Sequence, residues 1–487
     1  MSHEVTPVAA TEESLRAKVG RGFGWSVLNT VLSRTGSLLS GVLLARILAP
    51  ADYGVFAVAL VVLTALLSLN ELGVSLAVVR WPGDVGRIAP TVATLAAVTS
   101  GLLYVVAFVS APWVASAMDA PSATPLIRLM SLCVLVDAVS AVPAALITRE
   151  FRQRLRAGID LAGFVGGTAL TVVLALCGFG AWSLMWGFVA SNVLVGAMCI
   201  ARAPAWYGFG FDRSRLRELL AFGLPLAGSS AVLYLLVNLD YVVVGSVLGV
   251  TALGFYLLAF NVCSWPVNLV SGTMRRVTLA GFSRAAERPE GAAPVFTRAA
   301  RLVVTLTLPM SVLLAVFADP LVRTVYGERW SPSAAPLRLL AVLAVARVLV
   351  ELVYDFLVAV GRNSANLTLQ SVWLVGTAVA LPVGAWAAGI TGVAAGHAVV
   401  AVAVMSPALL LVLRRSGVDL AVLGRACARP AAGAVVMAVV GLATALLPLP
   451  AWGVVLVGGA LSSLAYAAVV LPVLREARQV LRPTAAA

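Results

Sequence analysis

Long apolar runs recur along the whole chain, separated by short polar connections. They lie at 22–47, 54–79, 88–111, 125–147, 158–177, 182–201, 219–248, 252–273, 302–317, 335–360, 367–388, 393–413, 431–447 and 452–474. Most are long enough to cross a bilayer core, which takes about 20 apolar residues in a helix. The pattern predicts fourteen membrane-spanning helices. The first two runs are joined by the short connection LAPADY and form a hairpin.

Basic residues test that count, because arginine and lysine accumulate in every second loop of a correctly divided membrane chain. Arg16, Lys18 and Arg21 precede the first run, and Arg80 and Arg87 fall in the next loop on that side. The same side continues with Arg149, Arg152, Arg154 and Arg156, then with Arg202, Arg213, Arg215 and Arg217, and so on to Arg475, Arg478 and Arg482. The opposite connections SAPWVASAMDA, GFGA, GVT, AGIT and PLP hold no basic residue, and only Arg46, Arg323 and Arg329 are expected on that side. Both termini are therefore expected in the cytoplasm.

Composition agrees with a membrane protein: 61% of the 487 residues are hydrophobic and 11% charged, against about 25% charged in soluble domains. The net charge of +13 does not indicate nucleic acid, since the basic residues are scattered in short clusters between apolar runs. No cleavable leader is expected, because residues 1–21 are polar and no A-x-A site follows a short apolar core. Cys133, Cys177, Cys199, Cys263 and Cys427 show no paired spacing and read as small buried thiols, not disulfides or metal ligands.

A repeat shows at an offset of 200 residues. LARILAPADYGVFAVA, from Leu44, lies over VGSVLGVTALGFYLLA, from Val244, matching Leu48 with Leu248, Gly54 with Gly254, Phe56 with Tyr256 and Ala59 with Ala259. The offset carries the first span onto the seventh in the same direction, so the halves are expected to be parallel repeats suited to rocking-bundle transport. The expected organisation is a cytoplasmic segment 1–21, six-helix bundles 22–217 and 218–415, two further helices in 416–474 and a cytoplasmic tail 475–487.

Charges inside apolar runs are the candidate chemistry, because a charge at the bilayer centre costs about 2.5–3.5 kcal/mol on insertion scales and therefore lines a cavity or finds a partner. Arg34 and Glu71 fall at comparable depths in the first hairpin. Asp137 is the third such charge in the first half; Asp240, Arg347, Glu351 and Asp355 are those of the second.

Arg347, Glu351 and Asp355 follow one another at i, i+4 and i+8 and can form a charged stripe on one helix face. An internal Arg347–Glu351 pair that pins helix packing is the plainer account. Arg34 suits an anion, since its planar fork makes bidentate bonds to phosphate oxygens; the alternative is a structural pair with Glu71 or a backbone carbonyl.

Asp240, beside Asn238, can bind a coupling proton or cation, hydrogen-bond a sugar hydroxyl, or serve packing. Asp137, Glu351 and Asp355 are further coupling-ion candidates. Asn261 and Asn268 share a face and can contact sugars, although interhelix hydrogen bonding explains them as well. Arg128 and Asp160 near span ends read as snorkelling or capping. His397 has no second ligand in sequence, and Gly163 with Gly167 reads as a close helix contact. No G-x-x-x-x-G-K-[ST] loop, hence no ATP motor, is seen. No cofactor and no metal are expected.

These pieces, in order, resemble the Wzx-type oligosaccharide flippases of the multidrug/oligosaccharidyl-lipid/polysaccharide exporter superfamily. The resemblance spans about residues 24–415 and rests on LARILAPADYGVFA with ELGVSLAVVR, ITREFRQR, GFGAWSL, FGLPLAGSS through NLDYVVVG to LGFYLLA, RRVTLAGFSR, GERW and GRN. TLAGFSR departs from the family pattern, which more often has a proline before the serine.

The resemblance implies an all-α membrane fold of two bundles in a V, like multidrug-exporter transporters, with alternating access in the bacterial inner membrane. It also implies export of a polyprenyl-pyrophosphate-linked glycan, with membrane lipids and polysaccharide polymerase or assembly proteins as partners. The cavity cation of the family maps onto Arg34.

A membrane glycosyltransferase or polymerase is disfavoured, since such enzymes need acidic residues in a sizeable outer loop and the longest here, 318–334, offers only Asp319 and Glu328. A drug or cation antiporter of the same superfamily and a non-transporting assembly scaffold stay open.

Overall fold

The computed structural model describes residues 36–70, 78, 85–150, 152–205, 207–287 and 291–481. Arg34, Glu71, Arg80 and the opening segment lie outside the described residues. The described residues form helices joined by short turns, in the order α1 (Gly36–Ile47), α2 (Pro50–Asn70), α3 (Ala89–Ala117), α4 (Pro121–Arg149), α5 (Gln153–Leu176) and α6 (Ala181–Arg202). Arg213–Ala286 follows, broken at Gly249 into an arm α7 before it and an arm α8 after it. Then come α9 (Ala293–Val316), α10 (Ala334–Ala359), and Asn363–Arg415, broken at Ala388 and Gly389 into arms α11 and α12. The last two are α13 (Leu420–Ala445) and α14 (Ala451–Val473).

Ten described segments are long and apolar enough to cross a membrane. Two of the ten, Val237–Val270 and Asn363–Arg415, hold the broken helices, and α1 and the charge-bearing α10 stand beside them. This is a multi-pass membrane protein, and the arrangement is consistent with fourteen spans.

The breaks are glycine turns. Gly249 has φ 79° and ψ 175° and Gly389 has φ 59° and ψ −142°, positive-φ conformations that only glycine adopts without strain. At the second break the two arms return so closely that the backbones of Gly384 and Gly392 touch, leaving no room for a Cβ at either position.

Two compact units divide the chain, Met1–Asn238 and Leu239–Ala487. Within the first, α5 and α6 pack most intimately, and small residues are the cause. A Cβ on Gly167 would stand 2.6 Å from the Gly187 carbonyl oxygen, and one on Gly163 would run into Val195, so Gly163 and Gly167 do permit close helix contact. Asp52 ties two helix starts together: one carboxylate oxygen accepts the Ala49 N–H at 2.9 Å and the other the Ala181 N–H at 3.1 Å. A carboxylate at a helix N-terminus satisfies an otherwise orphaned donor and opposes the positive end of the helix dipole.

The loop read as SAPWVASAMDA is shorter than its sequence suggests. α3 runs through Pro112 to Ala117, and the Phe108 carbonyl, which Pro112 leaves without its N–H, accepts instead from Arg128 Nε at 3.2 Å. Proline reads as a helix stop, yet a helix accommodates it with a bend where neighbouring groups take up the freed carbonyls.

Within the second unit α9 packs against α10 and α13, and α13 against α14; Tyr466 donates to the Thr305 carbonyl at 2.7 Å. Trp330, fully buried, meets Phe255 edge-on at 6.0 Å. Cys133, Cys199 and Cys263 are buried as expected, whereas Cys177, where α5 ends, is exposed and Cys427 is half-buried.

Candidate functional site

The polar centre of the second unit is Asp240, on α7 and only 2% exposed. Its Oδ1 accepts the Tyr241 backbone N–H at 2.9 Å and its Oδ2 the Tyr256 hydroxyl at 3.0 Å. A straight helix would hold positions 240 and 256 about 24 Å apart, so this hydrogen bond exists because the chain reverses at Gly249. His397, on α12, brings Nε2 to 3.5 Å from Asp240 Oδ2, and neither of its ring nitrogens makes a hydrogen bond among the described residues.

Aromatic rings enclose this group. Tyr241 meets Tyr256 edge-on at 6.2 Å and Phe260 edge-on at 5.5 Å. Beyond Phe260 stands Arg347, its guanidinium carbon 5.3 Å from the ring centroid and Nη1 donating to Ser264 Oγ at 3.4 Å. Buried in a low dielectric, a carboxylate with one hydroxyl, one amide and one imidazole around it interacts strongly with whatever positive charge reaches it.

The offset of 200 residues pairs this cluster with positions in the first unit. Asp240 and Tyr256 lie over Ser40 and Phe56 of the first copy. Gly389 has a counterpart in Gly180, whose backbone adopts nearly the same conformation, φ 53° and ψ −132°, and aligning these glycines places His397 over Phe188. Phe56 and Phe188 meet each other in the first unit, ring centroids 6.5 Å apart. Where the first unit holds a contact between two phenylalanine rings, the second holds a carboxylate, a phenol and an imidazole.

Other sequence candidates go to different surroundings. Arg347, Glu351 and Asp355 do not share one environment: Arg347 turns to Ser264 and Phe260, Glu351 is exposed, and Asp355 is buried, accepting from Thr278 Oγ1 at 2.9 Å. Asn238 is half-buried and donates to the Tyr234 carbonyl at 3.1 Å. Asn261 and Asn268 are both exposed on α8.

In the first unit Asp137 accepts from Asn70 Nδ2 at 3.3 Å, and Asn70 accepts from Ser100 Oγ at 2.7 Å, a relay linking α4, α2 and α3. Tyr256, Ser264, Asn70, Ser100 and Thr278 were not singled out in the sequence. Only Tyr256 left a trace there, as the hydroxyl that Phe56 lacks.

A sequence profile of the family described as polysaccharide biosynthesis protein matches residues 43–335. The succinoglycan biosynthesis transport protein ExoT of Rhizobium meliloti is 29% identical over 330 residues, 66% of this chain and 65% of that protein, so the match spans just under two thirds of its length. The lipopolysaccharide biosynthesis protein WzxC of Escherichia coli is 25% identical over 390 residues, 80% of this chain and 79% of that one.

Among solved structures, the lipid II flippase MurJ in an inward closed conformation matches with a TM-score of 0.80 at 13% identity, covering 93% of this chain and 99% of that one. An inward-facing multidrug resistance MATE family transporter matches at 0.63 and 19% identity, covering 79% and 96%. These likenesses establish the fold as that of MurJ and the MATE transporters. With the profile covering more than half of its length and the fold agreeing, the chain belongs to the polysaccharide biosynthesis protein family.

Proposed function

We propose that this chain is a flippase. It carries a polyprenyl-pyrophosphate-linked oligosaccharide or related polysaccharide precursor across the bacterial cytoplasmic membrane by alternating access, with both termini in the cytoplasm and no covalent chemistry of its own. The observation that carries this reading is the family match over residues 43–335, joined to relatives named for succinoglycan transport and lipopolysaccharide biosynthesis.

In this reading the bundles 22–217 and 218–415 do the rocking, and 416–474 is an addition. Arg34 receives the pyrophosphate and Glu71 balances it. Arg347, Asn238, Asn261 and Asn268 meet the sugars. Asp240 is the coupling group, since it is the most enclosed of the candidate carboxylates and the one whose neighbours differ in kind from their first-copy counterparts. Asp137, Glu351 and Asp355 are secondary coupling candidates. Polymerase and assembly proteins of the same pathway act on the product.

The test is genetic and chemical. A strain lacking the gene should accumulate the lipid-linked precursor on the inner leaflet, and the gene restored should clear it. A strain without such accumulation, or accumulation the gene fails to clear, refutes the reading; a scaffold would restore assembly without changing leaflet distribution, and a drug antiporter would alter drug resistance instead.

A further inference from the structure

One end of the first unit carries a cavity whose lining includes none of the residues proposed for transport. It has a volume of about 580 Å³ and is rimmed by Arg152 and Arg154 at the start of α5 and Arg202 at the end of α6, over a floor that includes Ile159 and Met198. All three guanidinium-bearing residues are exposed. Arg152 Nη1 reaches the Arg202 carbonyl at 3.4 Å, which ties the two helix ends across the rim, and Glu150 stands 4.0 Å from Arg152. Asp160, the next acid, is engaged by Arg156 at 3.1 Å. No acidic side chain is among the described residues lining the cavity.

We propose that this cavity holds the anionic headgroup of a bilayer phospholipid, independently of any glycan substrate. Three observations converge. Arginine forks grip phosphate oxygens bidentately, and basic pockets between helices at a membrane surface recruit anionic headgroups. The volume lies within the range of small-ligand sites, about 300–1,000 Å³. The floor is apolar and lies at the ends of membrane helices, where it would meet the glycerol and first methylenes of a lipid. A free anion has no use for such a floor.

The experiment uses the purified full-length protein in detergent, titrated with phosphatidylglycerol or phosphatidylcholine and read by native mass spectrometry. Phosphatidylglycerol should be retained in preference to phosphatidylcholine. The double variant Arg154→Gln/Arg202→Gln should lose roughly thirty-fold in retention, two surface-lipid cation contacts being removed. Gly158, in the same cavity, offers a second reading that leaves every charge in place. A Cβ built there meets nothing within 4 Å, so Gly158→Leu should fold and displace the lipid by filling its place. Arg323→Gln, on a different helix end, should retain it as the parent does.

Equal retention of the two lipids overturns the proposal, as does unchanged phosphatidylglycerol retention in either cavity variant. Release of the lipid by an equal concentration of inorganic pyrophosphate would reassign the cavity to free phosphates and overturn it too. If the double variant does not fold, Gly158→Leu decides alone.

Discussion

The Tyr256 hydroxyl donates to the Asp240 carboxylate at 3.0 Å, although Tyr256 belongs to the arm beyond the Gly249 turn. Removing that donor leaves a buried oxygen short of one partner, which costs about 1–3 kcal/mol when desolvation is not recovered. Tyr256→Phe should therefore lower thermal stability in detergent, and the loss should vanish when Asp240→Leu, which offers no acceptor, is already present. A loss of equal size in both backgrounds would place the effect in ring packing.

Replacing the whole cluster should behave differently from breaking it. Asp240→Ser with Tyr256→Phe and His397→Phe gives the second unit the residues of the first. Removal of one partner of a buried polar group is strongly destabilising, whereas joint replacement, here by two apolar rings and one small hydroxyl that can bond its own helix backbone, is often neutral. The triple variant should thus melt at or above the Tyr256→Phe single variant while its transport no longer responds to the driving ion. Full ion-driven transport in the triple variant would remove Asp240 from the coupling role.

Local sequence patterns reach the helices but not the contacts made between them. Hydrophobic runs and alternating arginines made the helices legible because bilayer thickness and the positive-inside bias act on local stretches. Asp240 was legible for the same reason, as a charge inside an apolar run. Its partners were not, since Tyr256 reaches it by reversal of the chain at Gly249 and His397 arrives on another helix altogether. The stripe of Arg347, Glu351 and Asp355 shows the converse: helical spacing put them on one face, but each step of four residues turns about 40°, and the neighbours of α10 sorted them into three surroundings. Pro112 misled because its stop signal is written locally while its accommodation is not.

Helix contact in the first unit depends on an absent side chain. A Cβ on Gly187 would stand 2.7 Å from the Gly167 carbonyl oxygen and collide with the Thr171 hydroxyl. Gly187→Val should cost at least about 1–3 kcal/mol by overpacking, seen as a lower melting temperature. Gly158→Leu on the same helix pair, where space is open, should not change it.

Asp52 caps two helices with one carboxylate. At about 0.5–2 kcal/mol for each cap lost, Asp52→Ala should destabilise the protein by roughly 1–4 kcal/mol. Asp52→Asn, which keeps one acceptor oxygen, should recover part of that. Equal melting of both variants and the parent would mean that the caps contribute nothing measurable.

The most direct test follows a labelled polyprenyl-pyrophosphate-linked oligosaccharide in sealed vesicles that contain only this purified protein. The labelled head should become accessible on the far leaflet faster than in protein-free vesicles. Arg34→Ala should abolish this movement while expressing and folding normally. Movement no faster than in empty vesicles, or undiminished in the Arg34→Ala protein, would contradict the flippase reading or the assigned pyrophosphate contact respectively.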